Sequence, residues 1–553
     1  MSETRRYFLE TFGCQMNILD SQLVTAQLHQ LGLSSTDNFV DADVVLFNTC
    51  SVRQHAEDKV HARLGELKKH KQARPEMVVG VIGCMAEREK EGVFAKAPHV
   101  DLLCGPGELN QIPNLLREVW ERNERVTALA GSLSRRTETL QRALEYDSLE
   151  ALDLARAPSL EGNVLQSYVR VQRGCDKFCT YCVVPFTRGP ERSRPPAHIV
   201  AEARQLVERG CRELTLLGQT VNSYVHQEDG EPVRFAQLLE QLHAVEGLDR
   251  IRFVTSYPAD WDEDIFRVLR DYPRVMPYLH IPAQSGSDRV LKRMKRGYTA
   301  ASYRKLMDLA RHYRPDVALA GDVIVGFCGE TDEEFRETIE LVRAVEYQQL
   351  YIFRYSPRPG TAADRNLTDD ISDELKAARN AELLAVQGEI GRKLRQRWVG
   401  QSARVLVEGF SKAARKARGE TKGALRTRGK ASPTFRVPPS PRAASSSPAD
   451  SLAAAGEVDE LRDLPQSEQD RGSEVGRERS DQLVGRTEHD LLVHFDAPPE
   501  YIGAIVEVQI ETATAQSLSG RVIGVVSAPR LARASLPVAV ESASRGSALP
   551  ILQ

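Results

Sequence analysis

The sequence predicts an α/β protein of several domains: an open parallel sheet, a partial (βα)6 barrel of the TIM kind, and a β-rich C-terminal unit. Three observations carry this expectation. Short apolar runs alternate with stretches of helical periodicity over residues 1–120, and again from Val164 to about Tyr355. Beyond Arg397 the pattern changes to segments in which apolar residues alternate with polar ones. A chain of 553 residues also exceeds what one core holds, so about three or four domains are expected.

In residues 1–120 the runs Arg6 to Thr11, Asp43 to Asn48 and Met77 to Ile82 are the expected strands, each followed by a helical segment. Residues 121–162 lose that regularity and read as a polar, partly helical connector. Over residues 163–397, strands are expected at Gln166 to Val171, Glu213 to Leu217, Arg250 to Val254, Pro277 to Ile281, Val317 to Val325 and Leu350 to Phe353. Six such units imply a parallel sheet with its helices outside. A long helix from the N-cap candidate Ser372 to about Arg397, with Lys and Arg collecting at its far end, leads out of this unit.

Residues 398–411 and 485–528 form the β-rich unit, with strands expected at Ala403 to Glu408, Asp490 to Phe495 and Ile505 to Ile510. Residues 412–484 interrupt it. This insert begins with eight basic side chains between Lys412 and Lys430, continues through a Pro/Ala/Ser-rich stretch and ends mostly acidic. Such a composition buries too little apolar surface to offset the entropy of ordering, so disorder is expected. Its basic part reads either as an RNA tether or as a tolerated insertion. Residues 529–553 read as a loose tail.

Hydrophobic content of 41%, charged content of 27% and a net charge of −3 are those of an ordinary globular chain. No apolar run has the length to span a bilayer, and the polar start Met1-Ser2-Glu3-Thr4-Arg5-Arg6 reads against a signal peptide. Nine cysteines, odd in number and set in motifs, fit reduced thiols or metal ligands in the cytoplasm better than a disulfide framework. Positive charge concentrates at Arg170, Arg173, Lys177, Arg188, Arg192 and Arg194, and again between Arg289 and Arg296. These two stretches are candidate phosphate holders or solvated basic faces.

The cysteines carry the chemistry. Cys175, Cys179 and Cys182 are spaced C-x3-C-x2-C just after a strand-like run. A four-iron cluster held by three thiolates keeps one iron open for a substrate. A zinc knuckle usually pairs C-x2-C with a second pair or with histidines, and none follows within the next ~30 residues. Cys14, Cys50 and Cys84 each come one or two residues after an expected strand, at the edge where open parallel sheets bind ligands. They are a second candidate metal set, with buried structural thiols as the other reading. Cys104 is a further possible ligand but reads as structural, and Cys211 and Cys328 read as buried thiols.

These motifs together resemble the methylthiotransferases, radical S-adenosylmethionine (SAM) enzymes that replace a C–H bond by C–S–CH3. The resemblance is carried by Thr11 to Asn17, Asn48-Thr49-Cys50, Gly174-Cys175 through Gly189, Leu217 to Tyr224, Gln284 to Asp288, Ile324 to Thr331 and Tyr355 to Thr361. It covers the chain apart from the insert and the tail. Val183 to Gly189, Leu217 to Tyr224 and Gly485 to Glu488 are similar to the branch whose substrate is N6-isopentenyl-adenosine beside the tRNA anticodon. Cys328 stands where the family usually has proline, and the insert splits the C-terminal domain between its first strands.

The resemblance implies an N-terminal methylthiotransferase domain, a radical SAM core and a small antiparallel β-barrel of the RNA-binding TRAM type. It implies two 4Fe-4S clusters, one on Cys175, Cys179 and Cys182 for SAM cleavage, the other on Cys14, Cys50 and Cys84 for sulfur insertion. One SAM would give the radical and a second the methyl group. Gln219, Ser256 and Gln284, at the carboxyl ends of barrel strands, are the candidate SAM contacts. The implied partners are tRNA through its anticodon loop, an electron donor such as flavodoxin or ferredoxin, and iron–sulfur or sulfur delivery proteins. A cytoplasmic monomer with no membrane partner is expected. The rival acceptors are threonylcarbamoyl-adenosine tRNA and a ribosomal-protein aspartate, and a more distant rival is a non-catalytic metal-dependent RNA-binding protein.

Overall fold

The computed structural model describes residues 5–51, 54–129, 149–156, 164–227, 230–419 and 481–530. Its N-terminal sheet has six parallel strands in the spatial order Ser34–Ser35, Arg6–Phe12, Val44–Thr49, Val78–Gly83, Leu102–Cys104, Val126–Ala128. Val44–Thr49 and Val78–Gly83 are buried along their whole length, as central strands covered by helices on both faces must be. Phe12 is in register with Thr49 and Thr49 with Gly83, so the three strands end level with one another.

The next unit holds six parallel strands in two sheets. One is Arg250–Phe253, Glu213–Leu217, Gln166–Arg170, and the other is Tyr278–His280, Ala318–Val325, Gln349–Arg354. A parallel bridge between Ile251 and Val275 lies between them. Helices outside this arc cover a core that includes Ile199, Leu239, Phe266, Met307 and Leu341. The long helix is Asp373–Gln396, and Ser372 caps it by accepting from the Leu375 amide at 3.2 Å.

The C-terminal strands close into a five-stranded barrel, Ser402–Phe410, Gln482–Thr487, Leu492–Asp496, Leu518–Ser527, Ile505–Ala513. Its pairs are antiparallel except Leu492–Asp496 with Leu518–Ser527, which run parallel. Two of its strands, Gln482–Thr487 and Leu518–Ser527, lie outside the runs read from sequence. Glycines interrupt their apolar alternation, and the latter leaves Ile523 and Val525 exposed.

Three sequence expectations change. The insert is ordered at both described ends: Lys412–Ala417 is a helix capped by Ser411, and Leu483 is fully buried in the barrel. The expected disorder of 420–480 and the tail beyond 530 lie outside the described residues. The connector 121–162 supplies the sixth strand, Val126–Ala128, too short to show a period. Its residues 149–156 are helical, in keeping with a partly helical connector, and their charged side chains are spent on buried ion pairs.

Those pairs also correct the reading of the first basic stretch. Arg170, Arg188 and Arg194 are neither phosphate holders nor a solvated face. Arg194 binds Glu150 at 2.6 Å and Glu202 at 2.8 Å, and Arg156 binds Glu202 at 2.6 Å. Arg170 and Arg188 both reach Asp20 of the N-terminal helix Gln15–Gln30, at 2.7 and 2.9 Å. Buried charges persist only when paired in this way.

Arginines also seat the C-terminal barrel on the amino-end side of the core strands. Arg212 donates to the Gly503 and Ala528 carbonyls at 2.7 and 3.0 Å, and pairs with Asp249 at 2.7 Å. Arg250 reaches the carbonyls of Arg486 and Arg404, and Arg252 those of Thr487 and Glu488. Arg212→Met removes the first of these clamps and strands its acceptors. Its expected cost is about 3 kcal/mol, measured as a lower first melting transition in calorimetry.

Candidate active site

Cys14, Cys50 and Cys84 lie at one edge of the sheet because three level strand ends deliver them. Gly13 makes the close approach possible: its φ is +136°, and a Cβ there would stand 2.3 Å from Cys50 Cβ. Behind the thiols lies a buried amide lattice. Asn17 Nδ2 donates to Asn48 Oδ1 at 2.9 Å, and Asn48 Nδ2 donates to the Asn17 carbonyl at 2.8 Å. Cys14 Sγ donates to Asn17 Oδ1 at 3.1 Å. A hydrogen bond from Cys50, assisted by the Arg188 cation, lowers the Cys14 thiol to about 6, while burial pushes Cys84 up.

The other set sits on the loop after Gln172–Arg173. Gly174 turns it with φ +67°, and a Cβ there would lie 2.0 Å from the Pro190 carbonyl oxygen. Cys175 N donates to Gly189 O at 3.1 Å, and Cys182 N to Cys179 O at 3.0 Å. Thr180 anchors the loop by donating to the Met294 and Arg293 carbonyls. Burial pushes the Cys175 thiol up to about 11 and the Cys182 thiol up to about 12. Arg296 Nη1 donates to Cys179 Sγ at 3.1 Å, with its guanidinium over the Tyr257 and Tyr298 rings.

Both sets fit a polynuclear cluster. All the donors are thiols, and within each set they lie in electrostatic reach of one another. Among the described residues no three or more Cys, His, Asp or Glu side chains converge as a site for one metal ion. A four-iron cube has separate corners for its thiolates, so neighbouring thiols that do not share a point suit it. Metal would displace the protons that burial retains on Cys175 and Cys182. The remaining cysteines are engaged differently. Cys104 and Cys211 donate to the carbonyls of Glu108 and Glu213, and Cys328 is buried in an apolar cluster with Phe327 and Tyr355.

A cavity of about 310 Å³ runs through the core barrel, with Cys14 and Cys50 on one wall. Gln219 lines it, beside Gly218 at the end of the strand Glu213–Leu217. Ser256 and Gln284 are absent from its lining. Ser256 Oγ donates to the His280 carbonyl at 2.7 Å, and Gln284 is held at φ +67° with its amide on the Asp322 carbonyl. The structure thus brings Gln219 to the cavity and leaves the other two beside it. At the far end Arg486 and Asp490 of the C-terminal barrel line the same space, together with Glu213 and Arg252.

Sequence reasoning missed Arg188, Arg296 and this far end. Arg188 and Arg296 each lie inside a basic stretch already singled out, but only folding shows that they face thiols. Glu408 belongs to the same buried group, 3.1 Å from Arg486. Burial pushes its carboxyl up to about 7. A raised carboxyl contributes its full stability below the unfolded value of about 4.3, and loses it as pH climbs through 7. Glu408→Gln carries no such loss. Its melting temperature relative to the parent is expected to rise between pH 5 and pH 8 by roughly 2–4 °C, read by scanning calorimetry across that range.

The chain matches three family models: Uncharacterized protein family UPF0004 over residues 6–105, the Radical SAM superfamily over 169–342 and the TRAM domain over 473–523. It is 48% identical over 417 residues to the tRNA-2-methylthio-N(6)-dimethylallyladenosine synthase of Rhodopirellula baltica, covering 75% of this chain and 86% of that one. The protein of the same name from a Sulfurihydrogenibium species is 36% identical over 520 residues, covering 94% and 99%. Among solved structures, the radical SAM methyltransferase TsrM of Kitasatospora setae aligns with a TM-score of 0.47 at 14% identity, over 65% of this chain and 74% of that one.

Proposed function

The chain belongs to the family of tRNA-2-methylthio-N(6)-dimethylallyladenosine synthases, and we propose that its two cysteine sets and the cavity between sheet and barrel perform that reaction. It is a radical SAM methylthiotransferase acting on tRNA, and its product is the 2-methylthio form of N6-isopentenyl-adenosine. The observation that carries the reading is the placement of Cys14 and Cys50 on the wall of a cavity that continues into the core barrel. The relatives' names favour this acceptor over threonylcarbamoyl-adenosine or a ribosomal-protein aspartate.

On this reading Cys175, Cys179 and Cys182 hold the cluster that engages SAM, and Cys14, Cys50 and Cys84 hold the second. Bound clusters and SAM supply the radical and sulfur chemistry that acid–base groups cannot bring to an unactivated ring C–H. The chain's own contribution is orientation and exclusion of water. Gln219, which lines the cavity, would contact SAM, while Ser256 and Gln284 would shape the strand ends behind it. Leu217, Val254 and Phe353 give the cavity apolar walls for a prenylated base. Tyr168, Tyr278 and Tyr351 stay neutral, because burial pushes their hydroxyls up. The C-terminal barrel takes the RNA backbone, and an unpaired anticodon-loop base costs little to extrude.

The electron donor on this reading is a small redox protein such as flavodoxin or ferredoxin, with iron–sulfur and sulfur delivery proteins upstream and the cytoplasm as the compartment. Among the described residues no helix is long and apolar enough to cross a membrane. Anaerobically reconstituted protein, incubated with SAM, a reductant and tRNA bearing isopentenyl-adenosine, is expected to give the 2-methylthio nucleoside by mass spectrometry. Cys179→Ala should abolish release of 5′-deoxyadenosine altogether. Cys50→Ala should release it and form no thiolated product. Equal cleavage of SAM by both variants would refute this division of labour.

A further inference from the structure

A cation reaches the second cysteine set from the loop that carries the first. Arg188 follows the short helix Val184–Thr187 beyond Cys182, and only 6% of its side chain is exposed. Its Nη2 donates to Asp20 Oδ2 at 2.9 Å. The helix Val184–Thr187 packs against the helix that begins at Cys84, Cys84–Glu89, and the guanidinium that follows it acts electrostatically on both the Cys84 and the Cys14 thiols.

Asp20 is too little counter-charge for this guanidinium. The same carboxylate takes Arg170 through Oδ1 at 2.7 Å. Arg170's other carboxylate, Asp153 at 3.9 Å, also serves Arg173 and Arg194. With Glu150 and Glu202 included, this buried group holds five arginines, Arg156, Arg170, Arg173, Arg188 and Arg194, against four carboxylates, so one positive charge is in excess, and a buried charge without a counter-charge is costly. Thiols become thiolates when they take a metal, which supplies negative charge at that spot.

We propose that Arg188 is a positioning residue that provides the counter-charge to the thiolate set Cys14, Cys50 and Cys84 and thereby raises the reduction potential of the cluster held there. The proposal rests on the second-cluster reading above. A cation or a hydrogen bond beside the cluster sulfurs stabilises the electron-richer state. Because Arg188 and Cys182 share a loop, the same contact fixes one cysteine set relative to the other.

The test uses the full chain carrying Cys175→Ala, Cys179→Ala and Cys182→Ala, in which the second cluster alone is titrated. Iron and sulfide are assayed, and the midpoint potential is followed by electron paramagnetic resonance. Arg188→Gln is expected to move the reduction equilibrium tenfold toward the oxidised state, about 59 mV for one electron. Arg188→Lys should restore most of that shift. Asp20→Asn, which frees Arg188 from its shared carboxylate, should move the potential in the opposite direction. This last variant decides the matter if Arg188→Gln does not fold. An unchanged potential in Arg188→Gln or Asp20→Asn at full iron content overturns the proposal, as does Arg188→Lys behaving like Arg188→Gln. A folded parent that binds no iron overturns the second-cluster reading itself, and the proposal falls with it.

Discussion

One carboxylate ties the N-terminal sheet to the radical core. Asp20 lies in the helix that starts at Gln15, directly after Cys14, and it is fully buried between two arginines of the other domain. Arg170 ends the first core strand, and Arg188 follows the loop of the other cysteine set. The bridge therefore joins an element beside one thiol set to an element beside the other. Buried ion pairs add little net stability, since desolvation offsets most of their attraction. They do punish misalignment, because displacing either domain would leave an unpaired charge. The cavity bordered by Cys14 and Cys50 depends on that alignment.

The opposite end of the core is clamped by different chemistry. Arg212, Arg250 and Arg252 project from or beside the amino ends of core strands and donate to backbone carbonyls of the C-terminal barrel. Carbonyl acceptors carry no charge of their own, so Asp249 and Glu213 supply the counter-ions. The result is a barrel seated firmly enough to send Arg486 and Asp490 into the far end of the core cavity. The C-terminal barrel is thus part of the wall of the core cavity.

The two cysteine sets have different electrostatic surroundings. Cys175 and Cys182 are held protonated by burial until a metal replaces the proton. Cys14 is already poised toward thiolate by Cys50 and Arg188. The exception is Cys14 alone, where the Cys50 hydrogen bond outweighs burial; Cys84 of the same set is pushed up by burial, and Arg296 brings a distant cation to Cys179 in the other set.

Local signals sufficed for most of the architecture. The Val- and Leu-rich runs at Val44–Thr49, Val78–Gly83 and Glu213–Leu217 announce buried parallel strands because such strands have no solvent face to vary. The cysteine spacing on the core loop, and three cysteines placed after strands, pointed to two thiol sets, since ligand position follows from where parallel strands end. Other features were invisible in one dimension. Val126–Ala128 and Ser34–Ser35 are too short to carry a period, and residues 149–156 looked like linker because their charges meet partners far along the chain. The basic stretches were legible as charge but not as interior, because a sequence shows that an arginine is present and not which carboxylate or thiol it faces. Sequence alone determined the long buried strands, the cysteines available as ligands and the family they resemble. Only the tertiary structure decided that Asp20 meets Arg170 and Arg188, 150 and 168 residues away. Pairing across such separations is set by how whole domains pack, and no local propensity encodes it.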